Sequence, residues 1–286
     1  MEKTSRVIFG KGKGGLPKIN VHTPLSDAEI YLQGAHVTHF QRAGEPPLLF
    51  LSEQSKFQSG QAIRGGVPII FPWFGPAEGK PMHGFARNQA WETSSVLHND
   101  GAVTVVLTLP DSPESGAFPK FLAEYWVTVG ENLSLELKIT NRSNENLSFE
   151  NCLHTYFTVG DINAISVAGL KGGEYLDKVD NFARKTETNE QIKITGETDR
   201  VYLATSSIVE ILDPKLGRKI IVAKEGSSST VLWNPWIAKA KQMADFGDEE
   251  YLHMVCVESG NVSENKLTLP AGKTASLKNI LSTEKI

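Results

Sequence analysis

Cysteine is almost missing from these 286 residues. Only Cys152 and Cys256 occur, each inside an apolar strand-like segment. They read as buried free thiols of a reducing compartment rather than as a disulfide. Long apolar runs are missing too. No stretch approaches the ~18–20 apolar residues of a membrane helix, and Met1-Glu2-Lys3-Thr4-Ser5-Arg6 leads into no signal-peptide core. The expectation is a cytoplasmic protein with no membrane partner. A basic excess is equally absent: 29 Lys and Arg against 33 Asp and Glu leave a net charge of −4. That argues against a nucleic-acid surface, while a few arginines in one pocket could still hold a small anion. Helical patterning is scarce, its best run being 237–246 with a lesser one at 52–57. No internal repeat, long linker or low-complexity tract divides the chain.

What is present is alternation with a period of two. Leu133, Leu135, Leu137 and Ile139 alternate with Ser134, Glu136 and Lys138, as in a half-buried strand. Similar runs lie at 28–32, 103–109, 122–129, 208–212, 219–223, 254–257 and 275–281, separated by turn signals such as Asn99-Asp100-Gly101 and Asp213-Pro214. Many short strands and little helix predict an all-β antiparallel sandwich. Residues 1–286 read as one domain.

The segment 62–91 breaks the pattern. Its Gly and Pro density, mixed with aromatics, excludes a regular strand or helix interior. It reads as a shaped loop fixed by Pro68, Pro72 and Pro76. Trp73 and Phe74 offer flat apolar faces to a sugar, or simply pack over the end of the sandwich.

Several apparent motifs carry no chemistry. Gly10-Lys11-Gly12-Lys13-Gly14-Gly15 has no preceding strand and no Gly-Lys-Ser/Thr ending, so it reads as a loop. Gly272-Lys273-Thr274 lacks the first glycine of a phosphate loop, Leu267 standing in its place. His36 and His39 point to opposite faces of a strand. No His, Cys, Asp and Glu cluster has metal-ligand spacing, so no metal is expected.

Ile63-Arg64-Gly65-Gly66-Val67-Pro68, Phe71-Pro72-Trp73-Phe74-Gly75 and His83-Gly84-Phe85-Ala86-Arg87 together closely resemble the hexose-6-phosphate mutarotase (glucose-6-phosphate 1-epimerase) family, related to the aldose 1-epimerases. The pattern continues at Leu153-His154-Thr155-Tyr156-Phe157, Asp199-Arg200-Val201-Tyr202, Val231-Leu232-Trp233-Asn234-Pro235-Trp236 and Val255-Cys256-Val257-Glu258-Ser259-Gly260, in the family's order. The resemblance implies a galactose-mutarotase-like β-supersandwich with few short helices. It implies interconversion of the α and β anomers of a hexose 6-phosphate, glucose 6-phosphate first, in a monomer without cofactor.

By resemblance, His154 is the general acid that protonates the ring oxygen, a task suited to an imidazole pKa of about 6.5. Read without the family, it is a histidine sharing a strand face with Glu150, Cys152 and Tyr156. By resemblance Glu258 is the base on the anomeric hydroxyl; otherwise it is a carboxylate at a strand end. Arg64 and Arg87 match phosphate-holding positions, and a guanidinium fork fits phosphate. His83 matches a contact near the ring oxygen, and Asp199 a sugar-hydroxyl contact or, otherwise, a turn aspartate. Met82 departs from the glutamine expected in some members, which puts one hydroxyl contact in doubt. Trp233 and Trp236 either line the site or pack beneath it. Two alternatives stay open: an epimerase of unphosphorylated aldoses, and a non-catalytic carbohydrate-binding protein on the same scaffold.

Overall fold

The alternating runs become strands in a computed structural model that describes residues 5–286. The residues 1–4 that bear on a leader lie outside this range. Side chains of Leu133–Asn141 alternate strictly between buried and half-buried, and Phe121–Val129 does so over most of its length. Both belong to a nine-stranded sheet that runs Gln191–Ile192, Ser166–Ala168, Val209–Asp213, Arg218–Glu225, Thr274–Lys285, Leu133–Asn141, Phe121–Val129, Ala102–Thr108, Glu92–Asn99.

An eight-stranded sheet packs over it. Its order is Ala183–Thr186, Glu174–Asp177, Thr198–Leu203, Ser229–Asn234, Met254–Asn261, Asn151–Leu153, Ile69–Ile70, with Tyr156–Thr158 also paired to Met254–Asn261. A four-stranded sheet of Arg6–Lys11, Pro17–His22, Ser26–Tyr31 and His36–Arg42 closes one end. All strand pairs in the three sheets are antiparallel. One continuous core joins them, with Leu135 and Leu137 from the first sheet, Val255 and Val257 from the second, and Ile19 and Ile30 from the third. Burial of such aliphatic side chains, at roughly 1.5–3 kcal/mol each, is what holds the layers together.

Met254–Asn261 is buried on both faces. Val255 and Val257 point to the main core, whereas Met254 and Cys256 join a smaller cluster with Tyr156, Val231 and Trp233 on the opposite face. That second face carries the cleft described below.

Three local expectations are corrected. The helix expected over 237–246 is Trp236–Ala240 only. Beyond it the chain tightens into three-residue turns, Met243 N–H to Ala240 O and Phe246 N–H to Met243 O. This sets Phe246 against Phe50 at 5.8 Å and Asp245 against Arg64, so tertiary contacts override helical propensity. The segment 52–57 is not helical, because its polar groups bond the Arg64 backbone: Ser55 Oγ accepts from Arg64 N–H at 2.6 Å, and Ser52 N–H donates to Arg64 O. Gly10 and Lys11 end the strand Arg6–Lys11, and only Lys13–Gly15 forms a turn.

Candidate active site

Two cross-strand rows build the cleft wall. Thr198–Leu203 pairs Asp199 with Trp233 and Val201 with Val231. Ser229–Asn234 then pairs Trp233 with Cys256 and Val231 with Glu258, and Tyr156 stands opposite Cys256. Side chains two residues apart on a strand share a face. Glu258 and Cys256 therefore look into the same space as Val231 and Trp233, and as Val201 and Asp199. Far from closing the strand, Glu258 sits inside Met254–Asn261 and is only 1% exposed. The solvated carboxylate that a strand end would give is corrected to a buried one.

His154 occupies a break in the ladder. Leu153 pairs with Ser259 and Tyr156 with Cys256, so the register across the break is unchanged and His154 falls opposite Glu258. Its N–H turns away to Pro68 O at 3.0 Å. The ring stacks on Tyr156 (4.8 Å, 11°), meets Trp233 edge-on at 6.0 Å, and brings Nε2 to 3.2 Å from Glu258 Oε1. Cys152 Sγ–H donates to the other carboxylate oxygen at 3.5 Å.

Burial dominates the electrostatics of this pair. It pushes the Glu258 carboxyl well above the usual range, with Asp199 adding repulsion. It holds the His154 imidazole well below its usual range, helped by His83, Arg87 and Arg64. In a dry site the neutral forms win, so the proton the pair shares rests on the carboxyl.

The cleft in front of this wall holds about 260 Å³ and takes in Arg64, His83, Arg87, His154, Asp199, Trp233, Glu258 and the Met82 side chain. All eight site residues expected from sequence thus meet in one hollow. Met82 is 48% exposed at the rim, and its carbonyl accepts from Arg87 Nη2 at 2.8 Å, so its backbone places an arginine whatever its side chain contacts. Trp233 lines the cleft, whereas Trp236 packs against Tyr251 at 5.3 Å. Asp199 lies within the strand Thr198–Leu203, which corrects the turn aspartate of the alternative reading.

His83 adds a donor. Its Nδ1 accepts from Gly75 N–H at 3.0 Å, so the proton of the neutral ring is on Nε2. Burial and the nearby Arg87, Lys178 and Arg64 drive its pKa down to about 2. Neutral at any working pH, it presents Nε2–H as a hydrogen-bond donor.

The arginines differ. Arg64 is held by Asp245 (Nη2–Oδ2 3.2 Å) and by Tyr156 Oη (3.1 Å). Burial opposes its charge, but Tyr156 and Asp245 outweigh this and raise its pKa. Arg87, on the short turn Ala86–Asn88, makes no ion pair among the described residues, and its buried Nε has no partner. Burial and Arg64 pull its pKa down to about 10, still charged at neutral pH.

Two cations that sequence reading missed also line the cleft: Lys178, paired with Asp199 Oδ2 at 2.8 Å, and Lys239, paired with Glu197 at 3.2 Å. Nothing local marks them, for each comes from a turn or short helix that only the sheet order brings to the site.

Absence of a metal-type cluster in the sequence does not survive folding. Donor atoms of His154, Cys256 and Glu258 lie within 4.8 Å of one another. Imidazole, thiolate and carboxylate are zinc-type ligands, and a metal there would take up both members of the His154–Glu258 contact.

Comparison with known proteins agrees with the fold. The profile of the family described as aldose 1-epimerase matches residues 17–282. An Escherichia coli K12 protein provisionally named glucose-6-phosphate 1-epimerase is 38% identical over 270 residues, covering 93% of this chain and 90% of its own. One of the same provisional name from Cenchrus ciliaris is 39% identical over 257 residues, covering 86% of this chain and 78% of its own. The crystal structure of a Salmonella typhimurium protein, provisionally described as a mutarotase, superposes with a TM-score of 0.92 at 32% identity, over 100% of this chain and 96% of that one. A galactose mutarotase-like protein of Clostridium acetobutylicum, at 14% identity and a TM-score of 0.78 over 99% of each chain, shares the fold. The all-β antiparallel sandwich is that of the galactose mutarotases, and the chain belongs to the aldose 1-epimerase/glucose-6-phosphate 1-epimerase (mutarotase) family.

Proposed function

We propose that this chain interconverts the α and β anomers of a hexose 6-phosphate, glucose 6-phosphate first, with Glu258 and His154 as the proton-transfer pair. The observation that carries the reading is the 3.2 Å contact of His154 and Glu258 on the wall of a cleft that also gathers Arg64, Arg87, Lys178 and Lys239. The anomeric hydroxyl O1 and the ring oxygen O5 are both bonded to C1. The groups that serve them must therefore stand side by side on one wall, and these do.

Ring opening removes the proton from O1 and delivers one to O5. Glu258 accepts the first and His154 supplies the second, so the pair needs one proton in total. Burial rests that proton on the carboxyl, so before the closed ring opens it must pass across the 3.2 Å contact to His154. Once the aldehyde has formed, it sits on Glu258, the arrangement that burial favours. Rotation about C1–C2 and closure on the other face run both transfers backwards. His83 Nε2–H donates to a sugar oxygen near the ring, Asp199 accepts from sugar hydroxyls, and Trp233 offers its ring to C–H faces. Arg87, already charged and under-partnered, is the principal phosphate contact, with Arg64 beside it. The step is unimolecular and redox-neutral. Positioned acid–base transfer of this kind contributes roughly 10²–10⁴-fold.

One shared core supports reading 1–286 as one domain. The two free buried cysteines suit a reducing compartment such as the cytoplasm. An epimerase of unphosphorylated aldoses is the second reading, favoured by the fact that Arg64 already has Asp245 and Tyr156 as partners. Anomer-resolved NMR exchange on glucose 6-phosphate and on glucose separates the two. Acceleration of the phosphorylated sugar well above the free one is expected, and equal rates would sink the phosphate assignment.

A further inference from the structure

Lys178 and Asp199 meet because the sheet is built that way. Glu174–Asp177 pairs Leu176 with Val201 and Asp177 with Arg200. The next rung places Lys178, the first residue of the turn Lys178–Asp180, opposite Asp199. The turn is pinned: Lys185 Nζ bridges Asp177 (2.8 Å) and Asp180 (2.7 Å). It closes through Asn181 and Phe182 at φ 48° and 59°, conformations that non-glycine residues adopt rarely. Backbone movement there is restricted, so any rearrangement of Lys178 belongs to its long, flexible side chain.

That side chain has two calls on it. Its ammonium holds Asp199 Oδ2 at 2.8 Å and lies 5.4 Å from the Phe74 ring, on the cleft side. Both partners line the same hollow as Arg64 and Arg87. The carboxylate that would receive a sugar hydroxyl is therefore paired with a cation. A neutral sugar hydroxyl competes poorly with an ammonium for a carboxylate. A phosphate monoester brings a competing partner for that ammonium into the same cleft, one with about twice the charge of the carboxylate and three strong acceptor oxygens.

We infer that the Lys178–Asp199 ion pair is a latch worked by the substrate's phosphate: the dianion draws Lys178 off Asp199, and Asp199 is then free to take the sugar hydroxyl. The inference rests on the anomer-exchange reading of the cleft and adds a discrimination device to it. Phosphate contributes to turnover by releasing a sugar contact as well as by binding. Free hexose meets a latched site. Lys178 is then a specificity-determining residue, and its loss unlatches the cleft for unphosphorylated sugar.

The test separates the latch from the activity it acts on. Anomer exchange of free glucose is measured by NMR in wild type with and without phosphite dianion, which supplies the anion without the sugar. Glucose 6-phosphate is measured alongside. Phosphite should raise wild-type exchange of glucose by roughly tenfold to a hundredfold, the worth of one hydrogen bond to a charged group. In Lys178→Met the glucose rate should already be raised and should no longer respond to phosphite, while kcat/KM for glucose 6-phosphate falls. Arg64 and Arg87 remain in that variant. A phosphite response that persists at the wild-type level would therefore assign the effect to them and overturn the latch. Wild type that exchanges glucose 6-phosphate anomers but ignores phosphite overturns the latch alone. Wild type that accelerates neither sugar overturns the anomer-exchange reading and the latch with it.

Discussion

Glu258 and His154 titrate as one unit, and their pH behaviour follows from how many protons the unit holds. The working form carries one. Burial holds His154 below its ordinary range, so a second proton binds only well to the acid side of 6.5. Burial holds Glu258 above the carboxylate range, so the last proton leaves only at higher pH than a free carboxyl allows. Both shifts widen the one-proton window. The expected pH–kcat profile is a plateau through neutrality with both limbs displaced outward, and the two apparent pKa values belong to the pair. A single sigmoid centred near 6.5 would show an isolated imidazole instead. Glu258→Gln keeps the shape and removes the proposed base, so kcat should drop by roughly 10²–10⁴-fold with KM little changed. A rise in KM at constant kcat would move Glu258 from chemistry to binding.

Elements show where sequence reading succeeds and where it stops. The strands were legible because their side chains face two different media: Leu133–Asn141 alternates in the sequence because it alternates in burial. Met254–Asn261 hides its function for the opposite reason: 254–257 reads as a strand, but both faces are buried, so no polar face marks where the strand ends or which side bears the cleft. Glu258 then looks like an end rather than a centre. Arg64, His83 and Arg87 are legible through the family resemblance of the segment that holds them, whereas strand order and tertiary packing that no local pattern encodes bring Lys178 and Lys239 to the cleft and Asp245 to Arg64. The loop glycines carry their own prediction. Gly84 lies at φ 76°, and a Cβ there would stand 2.0 Å from Phe71 O. Phe85 N–H bonds that same carbonyl, and His83 precedes the glycine while Arg87 follows shortly after. Gly84→Ala should cost more than about 1 kcal/mol in urea unfolding. Because the loop carries Arg87, the proposed anion contact, the change should raise KM for glucose 6-phosphate more than it lowers kcat. Unchanged stability would mean the loop can reshape without penalty.

At the scale of the whole molecule the charge balance opposes the substrate, since a net charge of −4 repels a phosphate dianion. The cleft resolves this locally. Of its four cations, Arg64, Lys178 and Lys239 are matched by Asp245, Asp199 and Glu197, while Arg87 makes no ion pair among the described residues and is depressed by its neighbour Arg64. An entering dianion meets one unmatched guanidinium and relieves the repulsion between two. At physiological ionic strength the screening length is about 8 Å, so this local field outweighs the distant net charge inside the hollow. Inorganic phosphate alone should therefore bind the folded chain and stabilise it by linkage, by about 2.7 kcal/mol at a hundred times its Kd, seen as a saturable rise of several degrees in the unfolding midpoint. Arg87→Ala should remove most of that rise, because it deletes the one cation with no competing carboxylate. Arg64→Ala should remove less, since Asp245 already holds that charge. An equal rise in wild type and Arg87→Ala would place the anion elsewhere on the surface, and with it the reason for preferring a phosphorylated sugar.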